Sequence, residues 1–208
     1  TAGTVITNRE AGVYGGWEQT FIDERLKLSA TGRIDKNQNF RALVSPAVSS
    51  VYKATANQTF RLSFSSAIRN PTLADQYLNY NVGRAVLLGN LNGFNSLVTL
   101  DNIADYLGKP ANERLSHDFG YFNVDAIRPE KVKTAEAGYR ATIGTRVFVD
   151  ANYYYSLYDD FIGYIIGAEI EEGTTAIDRL KSLQVYRVAA NATEQVTTQG
   201  FSIGMNTF

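Results

Sequence analysis

Residues Arg146 to Phe161 read RVFVDANYYYSLYDDF, and their alternation decides the fold. Val147, Val149, Ala151, Tyr153, Tyr155 and Leu157 hold the odd positions; Asp150, Asn152, Tyr154, Ser156 and Asp160 hold even ones. Successive side chains on a strand point to opposite faces, so this stretch has one apolar face backed by one polar face. The split recurs along the chain in segments long enough to cross a bilayer. Lipid on one side and water on the other is the pattern of a transmembrane β-barrel.

Working outward, Gln58 to Arg69 sets Phe60, Leu62, Phe64 and Ile68 against Thr59, Arg61, Ser63, Ser65 and Arg69. Glu10 to Ile22, Arg25 to Ile34, Phe40 to Lys53 and Lys131 to Ile143 alternate in the same way. Pro46 falls inside one of these runs and predicts a bulge or irregular pairing, since proline supplies no ladder donor. A last strand is expected from about Gln184 to Phe208. Its apolar set changes parity near Gln199-Gly200, which predicts a bulge there. The pattern fails from about 70 to 130 and again from about 163 to 183, the second stretch with Glu171-Glu172-Gly173 at its tip. Within the first, Asn70-Pro71 reads as a helix cap leading into TLADQYL, and a helical turn is expected from Asp101 to Leu107. About seven strands result. Short turns follow Ile22, Lys53 and Ile143; long or polar connections follow Ile34, Arg69 and Phe161. Tight periplasmic turns opposite large extracellular loops are the asymmetry of bacterial outer-membrane barrels.

The bulk composition agrees. The 208 residues are 44% hydrophobic and 12% aromatic, with 13 Tyr and 11 Phe but no run of about 18 apolar residues that would make a transmembrane helix. A net charge of -1 without an arginine and lysine cluster gives no reason to expect a nucleic-acid partner. With no cysteine and one histidine, thiolate chemistry and histidine metal clusters are excluded, and no cofactor is expected. The opening TAGTVITNRE lacks the basic region and apolar core of a signal peptide, so the sequence is read as a piece of a longer exported protein.

Arg61 to Tyr77, RLSFSSAIRNPTLADQY, resembles a signature of the TonB-dependent outer-membrane receptors. Arg128-Pro129-Glu130 followed by Glu136-Ala137-Gly138-Tyr139 resembles the family's next strand, and the tyrosine-rich strand ending Asp159-Asp160-Phe161-Ile162 resembles the one after. The likeness covers about Trp17 to Phe208 and is nearest in character to Bacteroidetes receptors. It implies an all-β fold: seven up-and-down antiparallel strands of a larger outer-membrane barrel in a Gram-negative bacterium, the whole of 1–208 lying in that one domain. It implies energy-coupled uptake of a bulky nutrient (oligosaccharide, peptide or metal chelate) and no enzymatic activity. Implied partners are the outer-membrane bilayer, TonB through a plug region absent from this sequence, and a surface lipoprotein. A small barrel acting as adhesin or passive pore is the alternative. Phe208 reads either as an outer-membrane protein's terminal phenylalanine or as a truncation, which the likeness favours.

Arg41, Arg61, Glu136, Arg140, Asp150 and Asn152 are expected to face the lumen, where unpaired charges are costly and should pair, hydrate or touch a plug. Aromatic residues in the long loop have two readings: packing the loop into a lid, or offering flat faces to a bulky ligand. Tyr77, Asn79, Tyr80 and Asn81 are the candidate ligand contacts. Ser116-His117-Asp118 holds the residue types of a catalytic triad, but sequence neighbours rarely converge, and His117 is expected to be a solvated loop residue. Asp159-Asp160 offers carboxylates to calcium but reads better as a solvated strand end.

Overall fold

In the computed structural model, which describes residues 5–114, 116–171, 179 and 181–207, the chain forms two compact units. One comprises Thr1–Asn70, Glu130–Asp159 and Glu194–Phe208; the other comprises Pro71–Pro129 and Asp160–Thr193. Both excursions into the second unit leave and re-enter the first at one end of its strands.

The first unit is a seven-stranded antiparallel sheet: β1 (Glu10–Phe21), β2 (Leu26–Asn37), β3 (Leu43–Thr55), β4 (Gln58–Arg69), β9 (Glu130–Ile143), β10 (Val147–Asp159) and β13 (Val196–Thr207), in that spatial order. The second unit carries α1 (Leu73–Tyr77), β5 (Asn79–Asn81), β6 (Val86–Leu88), β7 (Phe94–Leu97), α2 (Leu100–Gly108), α3 (Ala111–Arg114), β8 (Phe122–Val124), β11 (Ile162–Glu169) and β12 (Gln184–Asn191). Its main sheet runs β11-β12-β6-β5, with β7 paired to β8.

Alternation gives the long strands their faces, and the register makes those faces continuous. Phe60 pairs with Tyr52 and Tyr139, Leu62 with Ser50 and Ala137, Tyr153 with Ala137 and Phe201. This face is not a soluble core: Leu62 is 61% exposed, Phe64 43% and Ile203 67%, and Trp17, Val48, Tyr153 and Tyr155 are open as well. From Val147 to Leu157 the apolar run on β10 covers about 33 Å along the strand. At a tilt near 40° that is about 25 Å, the height of an outer-membrane apolar band. Beyond Leu157 the same face turns charged, with Lys133 Nζ 3.0 Å from Asp159 Oδ2.

Pro46 does not mark a bulge. It pairs in register with Gly32, while pairing to β4 begins only at Ala47↔Ser65, so one side of the proline has no ladder to supply. The irregularity in β3 lies instead between Lys53 and Thr55. The expected bulge at Gly200 is also absent: β13 pairs with β10 without a break from Val196 to Thr207. The parity changes because the expected last strand is two strands. Val188 and Ala190 belong to β12 and the core of the second unit, whereas Phe201, Ile203 and Met205 belong to β13. Glu172 and Gly173 of the expected loop tip, and Phe208, lie outside the described residues.

The stretches where alternation fails fold on their own apolar contacts. Val98, Ile103, Tyr106, Phe119, Ala168 and Ile170 form one core cluster; Leu97, Val124, Val188 and Ala190 form another. Thr72, two residues after the expected cap, opens α1 with a capping box closed by Asp75. Thr99 caps α2. Gly89 lets α1 lie against β6, because a Cβ there would stand 2.4 Å from the Tyr77 nitrogen and 2.5 Å from the Gln76 carbonyl carbon. Backbone cannot yield as a side-chain end can, so Gly89→Ala should destabilise the second unit by about 1–3 kcal/mol. Faster hydrogen exchange at 73–78 with unchanged exchange in the long sheet is the expected reading; unchanged exchange at 73–78 would contradict the packing.

Candidate functional site

The polar face of the long sheet is built by the same register. Ser63 pairs with Glu136 and Ser49, Arg61 with Gly138, and Asp150 with Arg140. Hydroxyls meet across strands, Ser29 with Ser49 at 2.7 Å and Thr134 with Ser156 at 2.8 Å. Arg140 donates to Asp150 Oδ2 from Nε and Nη2, at 3.0 and 2.7 Å. Arg61 reaches over β9 and donates from Nη2 to Asp150 Oδ1 at 2.5 Å. That reach depends on Gly138, where a Cβ would stand 2.9 Å from Arg61 Nε and 3.0 Å from Asn152 Oδ1. Arg61, Gly138 and Asp150 border a concavity of about 680 Å³ also lined by Ser49, Ser63, Glu136, Asn152 and Ser202. Gly138→Val should push Arg61 off Asp150 and cost about 1 kcal/mol, the scale of a half-exposed ion pair. Urea unfolding in detergent, with Arg61→Gln as reference, tests this: the two losses should coincide, and additive losses in the double variant would contradict it.

Arg61, Glu136, Arg140, Asp150 and Asn152 therefore share the polar face. Arg41 does not: it precedes β3 in an exposed connection, because the strand begins at Leu43 and not at Phe40. Glu136 is exposed and has no cation partner among the described residues.

In the second unit the four loop candidates separate. Tyr80, 61% exposed, shares a sheet face with Leu87, whereas Asn79 and Asn81 pair with Leu88 and Val86 on the opposite parity. Asn81 Oδ1 is taken by the Gly83 amide at 2.7 Å. Tyr77 closes α1 and is half-buried. The loop aromatics divide the same way: Tyr106 and Phe119 belong to one core cluster, Phe94 and Phe122 pack against the Leu97–Val124 cluster, and Tyr80 and Tyr121 stay open. Burial pushes the Tyr186 phenol above its ordinary value, and its hydrogen bond to Glu169 acts in the same direction.

A sequence model described as TonB dependent receptor-like, beta-barrel, matches residues 1–207. The chain belongs to this family. Members are outer-membrane proteins of Gram-negative bacteria, transport receptors by class and not enzymes. Among solved structures, the siderophore receptor PirA from Acinetobacter baumannii aligns with 95% of the chain and 25% of its own length, at 15% identity and TM-score 0.58. The Serratia marcescens hemophore receptor HasR, in complex with its hemophore HasA and heme, aligns with 97% of the chain and 32% of its own, at 9% identity and TM-score 0.66. The copper transporter OprC aligns with 95% and 26%, at 16% identity and TM-score 0.54. At these identities the likeness is one of fold. The chain spans about a quarter to a third of the length of these receptors. No curated protein sequence matches it.

On this TonB-dependent receptor fold the triad-like and calcium-like groups have other partners. His117 is not solvated: its side chain is 4% exposed and its ring packs against Tyr106 and Phe119. Its Nε2 is 2.7 Å from Asn102 Oδ1 and its Nδ1 2.9 Å from Lys109 Nζ. Ser116 donates to the Glu113 carbonyl and Asp118 accepts from Gly120, so the three side chains do not converge. Asp159 takes Lys133 and Gln195. Asp160 takes Arg128, whose guanidinium it holds charged above its already high ordinary value. The described residues contain no group of acidic or histidine side chains arranged for a metal.

Two asparagines that sequence reading missed organise this unit. Asn191 pairs with residue 128 as a peptide group would, accepting from its N–H at 2.7 Å and donating to its carbonyl at 2.9 Å, and it also donates to the Asp160 carbonyl. Asn90, fully buried, bridges the Asp125 and Ala189 carbonyls and accepts from Gly93. The run Gly89-Asn90-Leu91-Asn92-Gly93 carries turn composition that marks such a position.

Proposed function

We propose that this chain is part of the wall and the substrate-capturing surface of a receptor for energy-coupled uptake of a bulky nutrient. The observation that carries the reading is the two-faced seven-strand sheet whose long excursions all leave from one end. The apolar face meets outer-membrane lipid; the hydroxyl-rich face with the Arg61–Asp150–Arg140 cluster lines the lumen. The second unit lies on the cell exterior, and Tyr77, Asn79, Tyr80 and Asn81 contribute to ligand contact, Tyr80 first because its ring is open. The receptors of like fold include a siderophore receptor, a hemophore receptor and a copper transporter, which supports a scarce-nutrient cargo: a metal chelate, oligosaccharide or peptide. Energy comes from TonB acting through a plug region, with a surface lipoprotein as accessory partner.

The test is uptake by cells carrying the whole receptor, with and without TonB. Accumulation of cargo should fall to background without TonB; undiminished uptake would leave a passive pore. Single cysteines locate the faces. Ser63→Cys should react with a water-borne thiol reagent and Leu62→Cys should not, and equal reactivity would overturn the wall assignment.

A further inference from the structure

The sheet of the second unit has one face on the Leu97, Val124, Val188 and Ala190 core, and an opposite face that meets the other core cluster only at its Ala168–Val185 end. On the core side lie Val188 and Leu88. On the other side α1 lies over Gly89, and Asp75 of α1 accepts from the Tyr164 hydroxyl at 3.3 Å. Beside α1 the face stays open. One cross-strand row runs over all four strands, Ile166, Arg187, Leu87 and Tyr80, set by the pairs Ile166↔Arg187, Arg187↔Leu87 and Tyr80↔Leu87. Ile166 is 52% exposed, and Tyr80 and Arg187 are open too.

Arg187 is what makes this row specific. Its guanidinium carbon lies 3.6 Å from the centroid of the Tyr164 ring, closer than the other cation–ring contacts of the described residues. The ring in turn is tied to Asp75, which is buried and committed to the α1 capping box. The guanidinium is thus held over the ring of a fixed partner. It has no hydrogen-bond or ion-pair acceptor among the described residues. A planar guanidinium stacked on one face keeps its N–H fork free at the edge, and that fork matches a carboxylate bidentately. Open tyrosine and aliphatic side chains around a preorganised arginine are the composition of an interface centre. The row spans about 14 Å across the strands, and it is a flat sheet face, whereas small-molecule sites are concave.

We infer that this open face, centred on the Arg187–Tyr164 stack and flanked by Tyr80, Leu87 and Ile166, docks a protein segment that presents a carboxylate beside aromatic side chains. The carboxylate takes the guanidinium edge, and the partner's rings cover Tyr80 and Ile166. The surface shares Tyr80 with the proposed ligand contact, but its test reads Arg187-dependent peptide binding and not uptake, so the failure of one is distinguishable from the failure of the other.

The experiment uses the whole receptor in detergent and measures fluorescence anisotropy of two labelled peptides, GSYEYSG and its isostere GSYQYSG. The glutamate peptide should bind at least about tenfold more tightly, the scale of one charge-assisted bidentate pair. Arg187→Gln should erase that preference, and Arg187→Lys should restore only part of it, since lysine keeps the charge but not the planar fork. Tyr80→Ala should weaken both peptides alike. Hydrogen exchange across 160–171 and 184–191 checks that each variant keeps the sheet. Equal binding of the two peptides, an intact preference in Arg187→Gln, absence of binding, or full competition by benzoate alone (the mark of a small-molecule site) would each overturn the proposal.

Discussion

Replacing Asn90 with alanine is expected to destabilise the second unit by roughly 3–5 kcal/mol, the largest effect of any single substitution considered. The Asn90 side chain is fully buried and donates to the Asp125 carbonyl at 2.7 Å and the Ala189 carbonyl at 2.8 Å, while accepting from the Gly93 amide at 2.9 Å. Alanine takes this partner from the buried Ala189 carbonyl and from the part-buried Asp125 carbonyl and Gly93 N–H, each worth about 1–3 kcal/mol with the part-buried pair at the lower end. The backbone of the same residue accepts from Ile127 and donates to Asp75, so the loss falls where α1, β12 and the 125–127 segment meet. Asn90→Asp should be no better, because a carboxylate would set oxygen against two carbonyl oxygens. Limited proteolysis should cut the Asn90→Ala receptor within 71–129 while β1–β4 resist, since the seven-strand sheet has its own ladder. Wild-type resistance in both variants would show that this hub is dispensable.

Arginine in place of Phe64 is expected to cost about 2–4 kcal/mol near the bilayer midplane. The same arginine at Ser63, one residue away, should cost close to nothing. Phe64 pairs with Val48 and Ala135 on the apolar face; Ser63 pairs with Ser49 and Glu136 on the other. At Phe64 the charge would be desolvated in lipid. At Ser63 it would stand in water beside Glu136, which has no cation partner among the described residues, an exposed contact worth under about 1 kcal/mol. Tyr153 and Asn152 form a second such pair of positions. Urea unfolding of the receptor in lipid vesicles measures the difference, and equal midpoints for the two Phe64 and Ser63 variants would remove the two-faced wall.

The long strands were legible because their information is local and repeated. In Gln58 to Arg69 each residue declares its face by parity, and β4 has those bounds. The polar cluster was half legible. Arg61, Arg140 and Asp150 fall on one face by counting, but Arg61 and Asp150 are 89 residues apart and their contact needs the order β4-β9-β10. Arg41 falls outside the sheet because parity continues past a strand's end, whereas the β2–β3 ladder ends at Asp35↔Leu43.

The second unit was largely hidden. Its strands are short, some three residues long, and a strand buried on one side by irregular connections shows no period to count. β12 and β13 read as one strand because the crossing between units, Ala192 to Gln195, is only a brief polar interruption. The sequence by itself determined the two-faced wall and its tight turns, since lipid and water sort side chains residue by residue. Only the tertiary structure decided that Asn90 is a hub, that the His117 ring packs against core aromatics, and that Arg187 lies over the Tyr164 ring. Each of those depends on partners brought together from distant parts of the chain, and a buried polar group's identity carries no mark of which partners satisfy it.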